Sequence, residues 1–405
     1  MRTSSAGSTS RSRQARSASR PNSSRWGRRK RTVELSWLLF AILAGGGLGR
    51  LARGLWRSKD EPFLDRFVLD VSFGMGMLSL VFFGMAACHV LSLSGKGHGL
   101  PAYLAVLIGL IVGLPLIAGD AVPSLIDWLK QKRLPSWKTA VWVAIFVCLA
   151  LAVLIPALAL PSGADWDSLA YHLAIPKLYL EHHGFYYIDF ASHSNFPFLV
   201  EMLYTPALSL DDPAGAKMVH YLCGVLLVLA VVMLVRKHFT PKAAPLAALA
   251  LGGMPIVLWE ATTAYIDLAA ALYTVLAVYF LLDYFHGSDR RALVGCAIAA
   301  GFAASTKMTG LALIVLLVVW LVMDRITRPY SHQAQPDPTT PPQPSPERGG
   351  GGLQAHFDPM TPPQPSPERG GGRLQAHFDP TTPPQPSPER GGGGLQAHFD
   401  PMTPP

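Results

Sequence analysis

The chain has 405 residues, half of them hydrophobic and only 15% charged, with a mean hydropathy of +0.29. A soluble domain carries about a quarter charged residues, so a water-soluble globular enzyme is excluded and an all-α, polytopic integral membrane protein is expected. The formal charge of +8 is not spread evenly: residues 1–33 hold ten Lys or Arg and no acid, which leaves 24 basic and 26 acidic residues, a balance of −2, in the rest.

Residues 1–33 are Ser- and Arg-rich and read as a disordered basic tail. Such a tail suits anionic lipid on the cytoplasmic face. A nucleic-acid partner is not expected, because neither interleaved aromatics nor a domain accompanies the charges. A start placed too far upstream accounts for the tail equally well, and it is too long and polar to be a secretory signal. The apolar run Leu35–Gly49 that follows is short and lies between this tail and Arg50, Arg53 and Arg57. If it crossed, one basic cluster would lie outside, so it is expected to be shallow or re-entrant.

Membrane spans are expected near 66–93, 101–119, 137–160, 216–235, 243–259 and 263–285, the first two belonging to an N-terminal membrane region at 34–136. The run Ala292–Met323 is too long for one crossing and contains Ser305-Thr306-Lys307-Met308-Thr309-Gly310, so it reads as two short helices with a polar turn at Lys307. Cys88, Cys148, Cys223 and Cys296 are scattered through these spans without pairing or metal-ligand spacing. They read as small apolar residues.

Basic residues gather after alternate spans: Lys130, Lys132, Arg133 and Lys138, then Arg236, Lys237 and Lys242, then Arg290 and Arg291, then Arg325 and Arg328. The positive-inside rule places all of them in the cytoplasm. The external loop 161–215, the Glu260–Thr263 corner and the Lys307 turn then share the opposite face. Ionisable residues at a membrane edge are costly and therefore candidates for function.

The loop opens with Asp165-Trp166-Asp167-Ser168-Leu169-Ala170-Tyr171-His172. Leu169, Leu173, Pro176 and Leu180 fall on one helical face, with Asp167, Tyr171 and Lys177 mainly elsewhere, which describes an amphipathic helix on the membrane interrupted at Pro176 and stopped at Gly184. Asp165 or Asp167 could serve only as an N-cap. Two acids one residue apart exceed what a cap needs, and a carboxylate here could act as general base toward an acceptor hydroxyl. Lys307, then Lys177, is the candidate cation for an anionic leaving group, with snorkelling as the plain alternative for Lys307. His172, His182, His183 and His193 could bind a divalent metal or shuttle protons, or be ordinary polar loop residues. Asp267, about one turn inside its span, must face protein or water; it could pair with Lys307 or contact substrate. Glu201 reads as a solvated helix face unless it points inward.

Residues 340–405 repeat a 21-residue unit that starts at Thr340, Thr361 and Thr382 and stops at Thr403-Pro404-Pro405. With one Leu and one Phe among prolines and glycines it has no face to bury, so 329–405 reads as low-complexity and disordered rather than as a solenoid. His356, His377 and His398 recur with it, without the setting of a metal array.

Four motifs in this order resemble the GT-C glycosyltransferases, the group that includes protein O-mannosyltransferases and aminoarabinose transferases. They are Asp167-Ser168-Leu169-Ala170-Tyr171-His172-Leu173 with Pro176-Lys177, Phe196-Pro197-Phe198-Leu199-Val200-Glu201-Met202-Leu203, Ala264-Tyr265-Ile266-Asp267, and Ser305-Thr306-Lys307-Met308-Thr309-Gly310. The resemblance covers roughly 137–323 and implies a GT-C-like helical core at 137–328 in a bacterial inner membrane, with its active loop periplasmic. It further implies a polyprenyl-phosphate sugar as donor, transfer with inversion to a hydroxyl of a glycan, lipid or protein, Asp167 as the base with Asp165 behind it, and Tyr171, His172, Lys177, Glu201, Asp267 and Lys307 as substrate-binding residues. The chain departs from the family in placing its loop after several spans and in entering the repeats after Arg328, as expected of a C-terminally truncated member. A transporter and an inactive remnant are the alternatives; a transporter calls for paired repeats with broken helices, which the sequence does not display.

Overall fold

A computed structural model describes residues 23–54, 61–91, 99–115, 136–287 and 289–327, with a few isolated positions between 118 and 130, and side chains from Glu34 onward. The chain divides into units of residues 1–335 and 336–405. The expected repeats with His356, His377 and His398 lie outside the described residues, as does the basic cluster Lys132–Arg133.

Among the described residues every regular element is helical. In chain order they are α1 (Ser23–Arg53), α2 (Phe63–Ala87), α3 (Leu100–Ile108, running into a π turn at Gly109–Gly113), α4 (Trp137–Ala157), α5 (Ala174–Glu181), α6 (Thr205–Leu208), α7 (Pro213–His238), α8 (Ala244–Gly252), α9 (Pro255–Glu260), α10 (Asp267–Gly287), α11 (Arg290–Thr306) and α12 (Thr309–Thr327). Six helices are long and apolar enough to cross a membrane: Glu34–Arg53, α2, α4, α7, α10 and α12. This is a polytopic membrane protein.

Local chemistry sets the helix starts. Ser136 caps α4 by accepting from Thr139 N–H at 3.2 Å. Asp212 caps α7 by accepting from Gly215 N–H at 2.9 Å, with Pro213 in the first turn. Both follow the preference for oxygen side chains at the cap and proline just inside it. The split of Ala292–Met323 falls where the sequence puts it: α11 ends at Thr306, Lys307 is extended, and α12 begins at Thr309.

Two expected features differ. Residues 243–259 do not form one span but the pair α8 and α9, because Pro255 has no N–H to continue α8 and holds Met254 extended at φ −66°, ψ 128°. The Leu35–Gly49 run is one continuous helix rather than a re-entrant loop, and by length and composition it can cross. It belongs to a helix whose last 20 residues, Glu34–Arg53, reach about 30 Å at 1.5 Å per residue. The helical backbone starts at Ser23, inside the segment expected to be disordered to residue 33.

The ends of α1 fix its direction. Near one end, Trp37 Nε1 donates to Asp212 Oδ2 at 3.2 Å, beside the start of α7. At the other, the fully buried Arg53 pairs with Glu61 at 2.6 Å and with Asp70 near the start of α2. Arg236 at the end of α7 pairs with Asp65, and Lys237 with Asp283 of α10 at 2.7 Å, on that same side. We call the Trp37–Asp212 side the loop end and the Arg53 side the opposite end. The run Ala44-Gly45-Gly46-Gly47-Leu48-Gly49 lets α1 lie against its neighbours: a Cβ at Gly74 of α2 would overlap the Gly45 carbonyl, and one at Gly47 would overlap Gly113. Small residues are how helices approach closely in lipid.

In a cysteine-free background, Leu35→Cys and Tyr187→Cys are expected to react with a membrane-impermeant maleimide from the same side of oriented vesicles, and Lys242→Cys from the other. Labelling of position 35 together with 242 would overturn this arrangement of α1.

Candidate active site

The loop end carries the segment Leu158–Asp212, and its first turn is a π turn at Ser168–His172. Chain direction breaks at Leu173, and α5 resumes with Pro176 in its first turn. The apolar face only partly follows the expected one: Leu173, Pro176 and Leu180 are buried, while Leu169 is 47% exposed beside the exposed Trp166. Trp166, Tyr187 and Phe190 form an exposed aromatic fringe of the kind that sits at lipid headgroups. The stop is made differently from expectation. His183, not Gly184, takes the left-handed backbone at φ 60°, and Gly184 is needed because a Cβ there would overlap the Ala86 carbonyl of α2.

The two loop acids are placed differently. Asp165 is buried, its Oδ2 accepts from Ser162 N–H at 3.0 Å, and its charge bears on the buried Lys217. It closes the loop entry. Asp167 is half-buried and makes no capping bond to the π turn it precedes. Its backbone N–H reaches the Tyr265 hydroxyl at 3.4 Å, and its carboxylate lies close enough to the Tyr171 hydroxyl to act on it. Burial and then the neighbouring Asp167 charge hold the Tyr171 phenol well above its ordinary range, so it stays a donor. The Tyr171 ring stacks on His193 with centroids 4.3 Å apart.

Across from them, Lys307 Nζ pairs with Asp267 Oδ1 at 2.5 Å, both side chains 41% exposed. An exposed pair contributes at most about 1 kcal/mol, and the ammonium keeps donors for another ligand. Glu260, the last residue of α9, feels the same charges: burial first, then Asp267 and Asp167, push its carboxyl up to about 7, with Lys307 pulling the other way. Its Oε2 is buried and unpartnered. Asp167, Asp267, Glu260 and Lys307 therefore share one field, from three separate parts of the chain.

A second, buried pair lies beside this cluster, the His172 ring 4.1 Å from that of Tyr171 and 5.6 Å from that of Tyr265. His172 Nδ1 and Glu201 Oε1 are 2.9 Å apart, both nearly inaccessible. Glu201 thus points inward and is not the solvated face read from the sequence. Burial raises its pKa, opposed by His172. Lys177 pairs with Asp211 at 3.7 Å, both well exposed, rather than with any acid of the cluster. His182 lies against Tyr186, and His183 Nδ1 is 2.9 Å from the Leu91 carbonyl. Among the described residues no group of three or more His, Cys, Asp or Glu is placed to hold a metal ion.

The segment Ala261–Ile266 is irregular, and side chains from elsewhere hold it. Ser168 Oγ accepts from Ala264 N–H at 3.0 Å, the Tyr204 hydroxyl donates to the Tyr265 carbonyl, and His220 bridges the Thr263 carbonyl and the Leu268 N–H at 3.2 Å each. The sequence reading passed over Glu260 as a site residue, and it passed over Ser168, Tyr204 and His220. For His220 the signal was available: an ionisable residue inside the apolar run Ala216–Val235.

Residues 199–334 match the sequence model of the dolichyl-phosphate-mannose-protein mannosyltransferase family. The match covers about a third of the chain and agrees with its resemblance to the GT-C glycosyltransferases. It takes in Glu201, Glu260, Asp267 and Lys307 and begins after Asp165 and Asp167. The family is one of membrane enzymes that use polyprenyl-phosphate sugars as donors. Comparisons with curated proteins and with solved structures find no match.

The native Glu260 carboxyl binds its proton more tightly than in the unfolded chain. Its contribution to stability is full below the ordinary value of 4.5 and is lost as pH rises through about 7. Glu260→Gln is expected to flatten the fall in thermal midpoint of the detergent-solubilised protein between pH 5 and 7.5; an unchanged slope would remove Glu260 as its source. Glu201→Ala should lower stability by about 3–5 kcal/mol, because it strands a buried partner. The double change His172→Phe with Glu201→Leu should lose less, measured by the same melts.

Proposed function

We propose that the protein transfers a sugar from a polyprenyl-phosphate donor to an acceptor hydroxyl at the loop end, with Asp167 as general base. The observation that carries this is the convergence of Asp167, Asp267, Glu260 and Lys307 on one membrane edge from loop, helix start and helix hairpin. In the reaction, the acceptor oxygen attacks the anomeric carbon and its proton passes to the Asp167 carboxylate. The bond from that carbon to the phosphate oxygen breaks with inversion, and polyprenyl phosphate leaves with added negative charge. Lys307, exposed on one side of its pair, offsets that charge. Tyr171, beside that carboxylate and kept protonated, is placed to orient it. Asp267 and Glu260 suit the sugar hydroxyls, which both donate and accept.

Access for a lipid-linked donor is supported by an apolar groove of about 650 Å³ between α4 and α7–α9. Trp142, Phe146, Val225, Val228, Val257 and Ala261 line it, and it runs up to α9, the helix that ends in Glu260. The basic clusters after α7, α10 and α12 put the loop end outside by the positive-inside rule, which for a bacterial inner membrane is the periplasmic face.

Membranes carrying the protein are given a polyprenyl-phosphate donor labelled in the sugar. Asp167→Asn is expected to lower transfer by about 100-fold or more, in the range for loss of a general base, with donor binding nearly unchanged. Lys307→Met should weaken both. Equal transfer by wild type and Asp167→Asn would remove Asp167 as the base.

A further inference from the structure

The irregular turn between α9 and α10 sits at the membrane edge, where few waters are at hand to satisfy its backbone. Four of its backbone groups are met by three side chains: Ala264 N–H by Ser168, the Tyr265 carbonyl by Tyr204, and the Thr263 carbonyl and Leu268 N–H together by His220. Leu268 is the second residue of α10, so its N–H is one of the donors that a helix start leaves without an internal partner. A Ser, Thr, Asn or Asp just before the helix ordinarily accepts from such a group. Here Ile266 precedes α10 and cannot.

His220 replaces that cap from α7. The ring is fully buried, and its two nitrogens have different duties. A nitrogen accepting from Leu268 N–H carries no proton, so Nε2 is bare and Nδ1–H donates to the Thr263 carbonyl. One neutral tautomer satisfies both. Neither Lys nor a hydrocarbon can do so.

We propose that His220 is the positioning residue of the site: by capping α10 and tying down Thr263 at once, it sets where Glu260 and Asp267 stand relative to Asp167 and Lys307. The role rests on the glycosyltransferase reading above. His220 touches no reacting atom. It acts through the turn, so its removal shifts Asp267 and Glu260 rather than deleting them, and a displacement of about 1 Å can lower the rate about 100-fold.

Three substitutions separate the duties. His220→Phe keeps the ring and loses both bonds, His220→Asn keeps a donor near the Nδ1 position, and His220→Gln puts an acceptor near the Nε2 position. Hydrogen exchange of the peptide covering 261–270 and transfer from dolichyl-phosphate mannose labelled in the sugar are measured on the full chain in membranes or nanodiscs. The expected result is faster exchange in His220→Phe with kcat down about tenfold to a hundredfold and donor KM within about threefold. Both should be partly restored in His220→Gln, and less in His220→Asn. Unchanged exchange in His220→Phe, or a loss of transfer that only tracks the amount of folded protein, overturns the proposal. If the wild type transfers no sugar while exchange responds as expected, the glycosyltransferase reading fails and the positioning role with it, leaving His220 a structural clamp.

Discussion

Backbone polar groups near lipid must be satisfied inside the protein, and α9 does this only as far as the Thr263 N–H, leaving the rest of the turn to Ile266 to other partners. The remainder of the site hangs on this requirement. Ser168, Tyr204 and His220 meet it from a π turn, a 3-10 turn and a long helix, and each contact ties the segment to an element that also carries or abuts a candidate group. Ser168 adjoins Asp167, while Tyr204 lies one turn beyond Glu201. The cluster of acids is therefore held through its supporting backbone, with its carboxylates left free of capping.

The two ends of the bundle treat charge in opposite ways. At the opposite end Arg53, Arg236 and Lys237 are matched with Glu61, Asp70, Asp65 and Asp283, and Arg53 is sealed from solvent. The sealed Arg53 pairs are costly to break, and together with the more exposed ones they tie α1, α2, α7 and α10 to one another. At the loop end the Lys307–Asp267 pair is half-open and contributes little to stability. A weak, accessible pair can exchange partners with a phosphate or a sugar hydroxyl where a sealed one could not.

Much of this was legible in the residues. Length and hydropathy gave α2, α4, α7 and α10, and the polar interruption at Lys307 gave the α11–α12 hairpin. What hid α1 was its composition: Arg50 and Arg53 read as a boundary, although Arg53 is buried against acids that follow it, and the glycines at 45, 47 and 49 signal packing only once their partners Gly74 and Gly113 are known. Pro255 marked the break between α8 and α9 but was read through, because the apolar content on both sides is high. Within the site, motif order singled out Asp167, Asp267 and Lys307. It could not show that Lys177 turns to Asp211, that Glu201 turns to His172, or that Glu260 enters the same field, since these depend on which segments meet.

The direction of α1 has a bearing on how the chain is put into its membrane. The ten cations before residue 34 come ahead of Trp37, which lies beside Asp212, whereas the basic residues that end α7 pair at the other side. The positive-inside rule would put both sets on one face, yet α1 and α7 run to opposite ends. Charge alone cannot dictate the insertion of this polypeptide. The glycine seam with α2 and the ion pairs of the buried Arg53 hold α1 in that direction by fit rather than by the sign of its flanks.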